Sequence, residues 1–177
     1  MRWIVSQFAC GMSAATNSTP EAQASADADG RDSIAGVLPL SALHEHLAIV
    51  GTSGSGKTYA AKGLVERLMD RGGRVCVVDP LGVWWGLRAG ADRISASGYP
   101  VVVFGGRHAD VALEDTMGAA LGRLVGTHPL ACVVDVSDLG SSAARRSFMT
   151  AFAEALYEAN TEPLHLVLDE ADLCGIM

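Results

Sequence analysis

The chain has 177 residues, enough for one α/β domain with a real core and too few for two comfortable ones. Hydrophobic residues make up 49% of it and mean hydropathy is +0.26, yet no uncharged apolar run reaches the roughly eighteen residues that a membrane span needs. A net charge of −7, with Lys57 and Lys62 the only lysines and Arg145-Arg146 the only adjacent basic pair, argues against a nucleic-acid surface within these residues. Cys10, Cys76, Cys132 and Cys174 form no C-x-x-C pair, so neither a zinc site nor a disulfide framework is expected. They read as buried or idle thiols in a reducing cytoplasm, with no membrane partner implied.

In chain order, MRWIVSQFACGM is a weak imitation of a secretion signal, interrupted by Ser6 and Gln7. Met12 is an alternative start, with the first eleven residues an upstream extension. Residues 13–33 are small, polar and acidic, with almost nothing to bury. The expected organisation is a flexible tail over 1–36 and a nucleotide-binding domain over 37–177.

Beyond residue 37, short apolar runs alternate with helical stretches, as stacked βαβ units do. The expected strands are 47–51, 74–79, 101–106, 131–136 and 164–169. Each is nearly continuous in apolar residues, which fits parallel strands covered by helices on both faces. Lys57 to Arg71 sets Ala60, Ala61, Leu64, Val65, Leu68 and Met69 at helical spacing, and Gly72-Gly73 supplies the stop. Val111 to Val125 repeats the theme with Leu113, Met117, Ala120, Leu121 and Leu124. Arg145 to Asn160 does so with Phe148, Ala151, Phe152, Ala155 and Leu156. These positions are expected to be core. The predicted class is α/β, a three-layer αβα P-loop fold on a mostly parallel sheet.

Gly51-Thr52-Ser53-Gly54-Ser55-Gly56-Lys57-Thr58 fits G-x-x-x-x-G-K-[ST] and lies between a predicted strand and a predicted helix. Random order would give the pattern in about three chains per thousand of this composition, before that context is imposed. Glycines let the backbone N–H groups turn inward on a phosphate, and the helix that follows adds the positive end of its dipole. Lys57 reaches the β- and γ-phosphates, Thr58 takes one position on Mg²⁺, and Tyr59 completes the nucleotide-contacting stretch.

Leu164 to Asp172, LHLVLDEAD, is an apolar strand ending in paired acids and resembles the Walker B segment of P-loop ATPases. Asp169 would serve Mg²⁺ from the side opposite Thr58, and Glu170 would orient and deprotonate a water. Asp135 and Asp138, which end a similar strand without an adjacent Glu, rank second. Asp172 reads as solvated or turn-forming, His165 as a packed histidine, and His44 and His46 as lacking metal-ligand partners.

These features in this order resemble the HerA/FtsK-type ATPases, particularly HerA-like proteins with a helicase-type ATP-binding domain. The likeness covers roughly 37–173 and rests on GTSGSGKT, on RVCVVDPLG with Asp79-Pro80 and Gly82, and on LHLVLDEAD. Many relatives carry an acidic and an aromatic residue after that glycine, where this chain has Val83-Trp84-Trp85. Trp84 and Trp85 either pack over a base or are buried against a helix.

The resemblance implies ATP and Mg²⁺ as ligands and a motor that, in complete form, couples hydrolysis to movement on DNA through parts not present here. It also implies a homo-oligomeric ring, an arginine acting on a neighbouring subunit, and a further strand with a polar sensor residue between the P-loop strand and the Asp-Glu strand. Without that strand the sheet would have a gap, with unpaired backbone and exposed apolar faces. A fragment, a truncated gene, or a shortened fold that pairs its strands differently would each account for the length. A nucleotide kinase or other phosphotransferase, and a module that binds nucleotide without turnover, are the alternatives. No N-K-x-D segment of the kind that reads guanine is present.

Overall fold

The computed structural model describes residues 2–8, 33–34, 38–39, 45–89 and 98–174. Strands are β1 (Arg2–Phe8), β2 (Ser33–Ile34), β3 (Leu38–Pro39), β4 (Leu47–Gly51), β5 (Val75–Asp79), β6 (Val102–Phe104), β7 (Cys132–Asp135) and β8 (His165–Leu168). Helices are α1 (Lys57–Asp70), α2 (Gly118–Thr127) and α3 (Ser142–Ala159), with a 3₁₀ turn over Trp84–Arg88. Six strands form one sheet in the order β4-β1-β8-β5-β7-β6, every pairing parallel, while β2 and β3 make a separate antiparallel pair.

The apolar runs are continuous because both faces of the central strands are covered. Cys76, Val78, Cys132, Val134, Leu166 and Leu168 pack with Leu121 and Val125 of α2 and Phe148, Met149, Phe152 and Leu156 of α3. The intervening Val75, Val77, Val133 and Val167 pack on the other side with Ala61, Leu64, Val65 and Leu68 of α1 and with Trp84 and Leu87. Successive residues of a strand thus enter opposite cores, which gives the three-layer α/β architecture expected of a P-loop fold. Among the sheet strands whose burial is described, β4 departs from this: Val50 is 62% exposed, and its outer edge has no strand partner among the described residues. Cys76, Cys132 and Cys174 are buried free thiols.

The main difference from the sequence reading is β1. Arg2–Phe8, expected to be part of a tail, lies between β4 and β8, pairing Ile4 to Phe8 with Leu47 to Gly51 and Arg2 to Val5 with His165 to Leu168. The sheet therefore has no gap where the sensor strand was expected, because a segment from the other end of the chain pairs there. The physical reason is that both neighbours offer parallel backbone edges, and an extended stretch of Trp3, Ile4 and Val5 satisfies both at once. Residues 9–32, which include Met12 and most of the expected tail, lie outside the described residues.

Helix α2 begins seven residues later than the periodicity suggests. Val111 instead bridges to Phe104, and Met117, Ala120 and Leu124 of the expected core stripe are exposed, as is Ala60 of α1. The contact that sets α2 on α3 is made by its glycines. A Cβ on Gly118 would lie 2.4 Å from the Phe148 carbonyl oxygen, and one on Gly122 would lie 2.4 Å from that of Phe152. The two backbones approach too closely for any side chain on that stripe, and the apolar contact of α2 comes from Leu121 and Val125 beside it.

Candidate phosphate-binding site

Strand β4 delivers the chain to the C-terminal edge of the sheet at Gly51, where open α/β sheets bind ligands. A Cβ on Gly51 would stand 2.6 Å from the Ser55 Oγ, so the turn closes on a residue without a side chain. Gly54 and Gly56 hold φ of 76° and 86°, the left-handed region that glycine enters without steric cost. Ser55 N–H donates to the Thr52 carbonyl at 3.2 Å, curling the loop. Helix α1 then begins at Lys57 with no side-chain cap and no acid in its first turn. Its first N–H groups therefore point at the loop mouth with no built-in anion, the arrangement that receives a phosphate.

Lys57 is buried to 8% exposure, and its Nζ donates to the Thr52 carbonyl at 3.3 Å, so the ammonium lies across the loop itself. Thr52, Ser53 and Ser55 are exposed on the rim, and Tyr59 is 85% exposed beside it. An exposed aromatic one residue past Thr58 offers a face on which a base can stack.

Asp169 follows β8 and is fully buried. Its carboxylate accepts from the Thr58 hydroxyl at 3.4 Å and 3.5 Å on its two oxygens, and from the Trp84 indole Nε1–H at 2.8 Å. The fold thus brings Thr58, the neighbour of Lys57, against Asp169. These donors are a hydroxyl and a carboxylate, the hard-oxygen chemistry that Mg²⁺ takes, so the residues present fit that ion. Among the described residues, no three His, Cys, Asp or Glu side chains cluster as a metal cage. A cation here would therefore draw most of its ligands from phosphate and water.

Glu170, next in the chain, is only partly buried and adopts φ 42°, the one left-handed non-glycine conformation among the described residues. Such a conformation costs on the order of 1 kcal/mol or more and is held by the turn that follows, in which Leu173 N–H donates to the Glu170 carbonyl at 2.8 Å. Asp172 is exposed.

For two groups that the sequence singled out, Asp79 and Trp84, the bonds they make near the site escaped the sequence reading. Asp79 ends β5 and accepts from the N–H groups of Leu81 (3.0 Å), Gly82 (2.8 Å) and Trp84 (2.7 Å). Burial raises its carboxyl above the ordinary range, and the nearby Asp135 adds to this, against the lowering by the N–H groups of Trp84, Leu81 and Val83. Asp-Pro followed by Gly is a turn signature that pointed to this cap. Trp84 is the second group: its indole reaches Asp169 rather than a base, and nothing in the sequence marks that bond. Trp85 stacks on His108 with ring centroids 4.0 Å apart.

Asp135, ranked second for the metal side, ends β7, with β5 and β8 between it and the β1–β4 side of the sheet. It caps the Ser137 N–H at 2.9 Å and is closely approached by Gly82 and Gly106, so it fixes loops away from the phosphate turn. Asp138 beside it is exposed, and His165 is buried in β8. His44 lies outside the described residues.

Residues 31–96 match the family model described as helicase HerA, central domain. No curated protein and no solved structure gave a significant match.

Proposed function

We propose that the chain, whose residues 31–96 match the helicase HerA central-domain model, binds ATP with Mg²⁺ and hydrolyses it. The observation that carries this reading is Thr58 lying within 3.4 Å of Asp169, because two separate motifs then face one small volume at the mouth of a phosphate loop. Lys57 and the first N–H groups of α1 hold the β- and γ-phosphates, Gly51 to Gly56 wrap them, and Tyr59 stacks on the base.

Thr58 and Asp169 would hold Mg²⁺, which supplies charge neutralisation on the phosphate oxygens. Glu170 orients a water toward the γ-phosphorus and accepts its proton. The new P–O bond forms as the bond to the β-phosphate's bridging oxygen breaks, giving ADP and inorganic phosphate. The strained backbone at Glu170 favours this role, since strain of that kind collects where a side chain must be held in one direction. A water-directed carboxylate next to the metal carboxylate also favours hydrolysis over transfer to an acceptor.

In the full assembly the hydrolysis would drive movement along DNA, a step supported by the helicase family whose model the segment matches and not by this chain's net charge of −7. The same reading makes the protein cytoplasmic. Among the described residues no helix is long and apolar enough to cross a membrane.

The test is ATP turnover by the wild type and by Glu170→Gln at saturating Mg·ATP. The variant should lose on the order of a hundredfold or more in rate while still binding ATP. Equal, non-zero rates would remove Glu170 from the mechanism. Tight binding without turnover in the wild type would select a nucleotide-holding module instead.

A further inference from the structure

Trp84 is the largest fully buried side chain among the described residues, yet it is not simply packing. A buried indole N–H must find an acceptor, and here that acceptor is the Asp169 Oδ2 at 2.8 Å, 85 residues away in sequence. The backbone N–H of the same residue is held at 2.7 Å by the Asp79 carboxylate, which anchors the stretch of chain that carries the indole. From the other side Lys62, one helical turn beyond Thr58, sets its ammonium 5.5 Å from the ring centroid and donates to the Val83 carbonyl at 2.6 Å. Three elements, the phosphate-loop helix, the turn after β5 and the end of β8, therefore meet on one indole.

The consequence falls on the carboxylate. An aspartate's terminal torsion is broad, so an unrestrained Asp169 could turn either oxygen toward Thr58. The indole ties down Oδ2 with a bond of 2.8 Å, whereas the Thr58 hydroxyl sits at 3.4 Å and 3.5 Å from the two oxygens, a contact loose enough to be replaced. Oδ1 is thus the oxygen left for a cation.

We propose that Trp84 is a positioning residue for the metal-side carboxylate: its indole N–H fixes the Asp169 carboxylate so that one oxygen is committed to the protein and the other to Mg²⁺. This rests on the ATP·Mg²⁺ reading above and adds to it the residue that sets how tightly the ion is held. Partners of this kind behind a metal ligand alter metal affinity by about 10- to 100-fold when removed.

The experiment uses the full chain and fixed ATP, titrated with MgCl₂ by calorimetry, comparing wild type with Trp84→Phe, which keeps an aromatic ring and loses the N–H. The Mg²⁺ concentration for half-maximal enhancement of ATP binding should rise by about tenfold in the variant, with ATP binding in EDTA unchanged. A purely structural role would lower thermal stability and leave that Mg²⁺ concentration where it was, which would overturn the proposal.

Should Trp84→Phe fail to fold, ¹⁵N-indole spectra of the wild type decide, with the Trp84 signal assigned by eliminating those missing from Trp3→Phe and Trp85→Phe. That signal should move when MgCl₂ is added to the ATP-bound protein, and an unmoved signal would overturn the proposal. Wild-type protein that ignores Mg·ATP altogether would sink the nucleotide reading and this one with it. Wild-type binding with an unaltered Trp84→Phe response would sink this one alone.

Discussion

The hydroxyl of Thr58 lies 3.4 Å from the carboxylate of Asp169, a residue 111 positions further along the chain. One belongs to the first turn of α1 and the other to the end of β8, and the parallel sheet alone brings the two to the same edge. If this pair holds the cation, Thr58→Ala should bind ATP in EDTA as the wild type does, yet gain little from added Mg²⁺. The wild type should lose on the order of tenfold in affinity when Mg²⁺ is chelated. Paired calorimetric titrations with and without EDTA measure both, and a Thr58→Ala variant that responds fully to Mg²⁺ would remove the hydroxyl from the site.

Strand β1 pairs with five residues of β4 and with four of β8. Removing residues 1–11 would open the sheet between the phosphate-loop strand and the Asp169 strand, leaving two parallel edges without partners. The loss should be comparable with the whole stability of an ordinary domain, on the order of 5 kcal/mol or more. Thermal unfolding of the full chain and of a version beginning at Met12 provides the comparison. Equal midpoints would show that β1 is not part of the fold, and would restore Met12 as a workable start.

Glycine in the middle of a helix ordinarily costs about 0.5–1 kcal/mol relative to alanine. At Gly63 of α1 nothing stands within 4 Å of an added Cβ, so Gly63→Ala should stabilise by about that amount. At Gly122 of α2 the added Cβ would meet the Phe152 carbonyl oxygen at 2.4 Å and the Leu156 nitrogen at 2.9 Å, both backbone atoms that cannot swing aside. Overpacking of about 1–3 kcal/mol then outweighs the helix gain, and Gly122→Ala should destabilise. Urea unfolding of the two variants checks the opposite signs, and a stabilised Gly122→Ala would contradict the close approach of α2 and α3.

How much of this was legible in the sequence depends on where the deciding contacts lie. Strands β5, β7 and β8 announced themselves because both their faces are covered, which forces runs such as Val75 to Val78 to be apolar at every position, and the edge strands β4 and β6 were found by their shorter apolar runs. The phosphate loop was equally plain, because its backbone conformation demands glycine at 54 and 56. Strand β1 was not, since Ser6 and Gln7 break its apolar run and its pairing depends on two strands far away in sequence. Periodicity misplaced the start of α2 for a related reason: Gly118 and Gly122 make its contact with α3, and a stripe of glycines has no hydrophobic signal. Nor could sequence spacing show that the Trp84 indole would reach Asp169, a bond that exists only once β5 and β8 lie side by side.

The central claim is that the loop ahead of α1, with the Lys57 ammonium, holds a nucleotide's phosphates. A calorimetric titration of Mg·ATP into the wild type and into Lys57→Ala tests it most directly. The wild type should bind in the micromolar range and the variant at least tenfold more weakly, because charge-assisted hydrogen bonds of about 1.5–3 kcal/mol are lost. A well-folded wild type that gives no binding heat with Mg·ATP at millimolar concentration, or a Lys57→Ala variant that binds equally well, would contradict it.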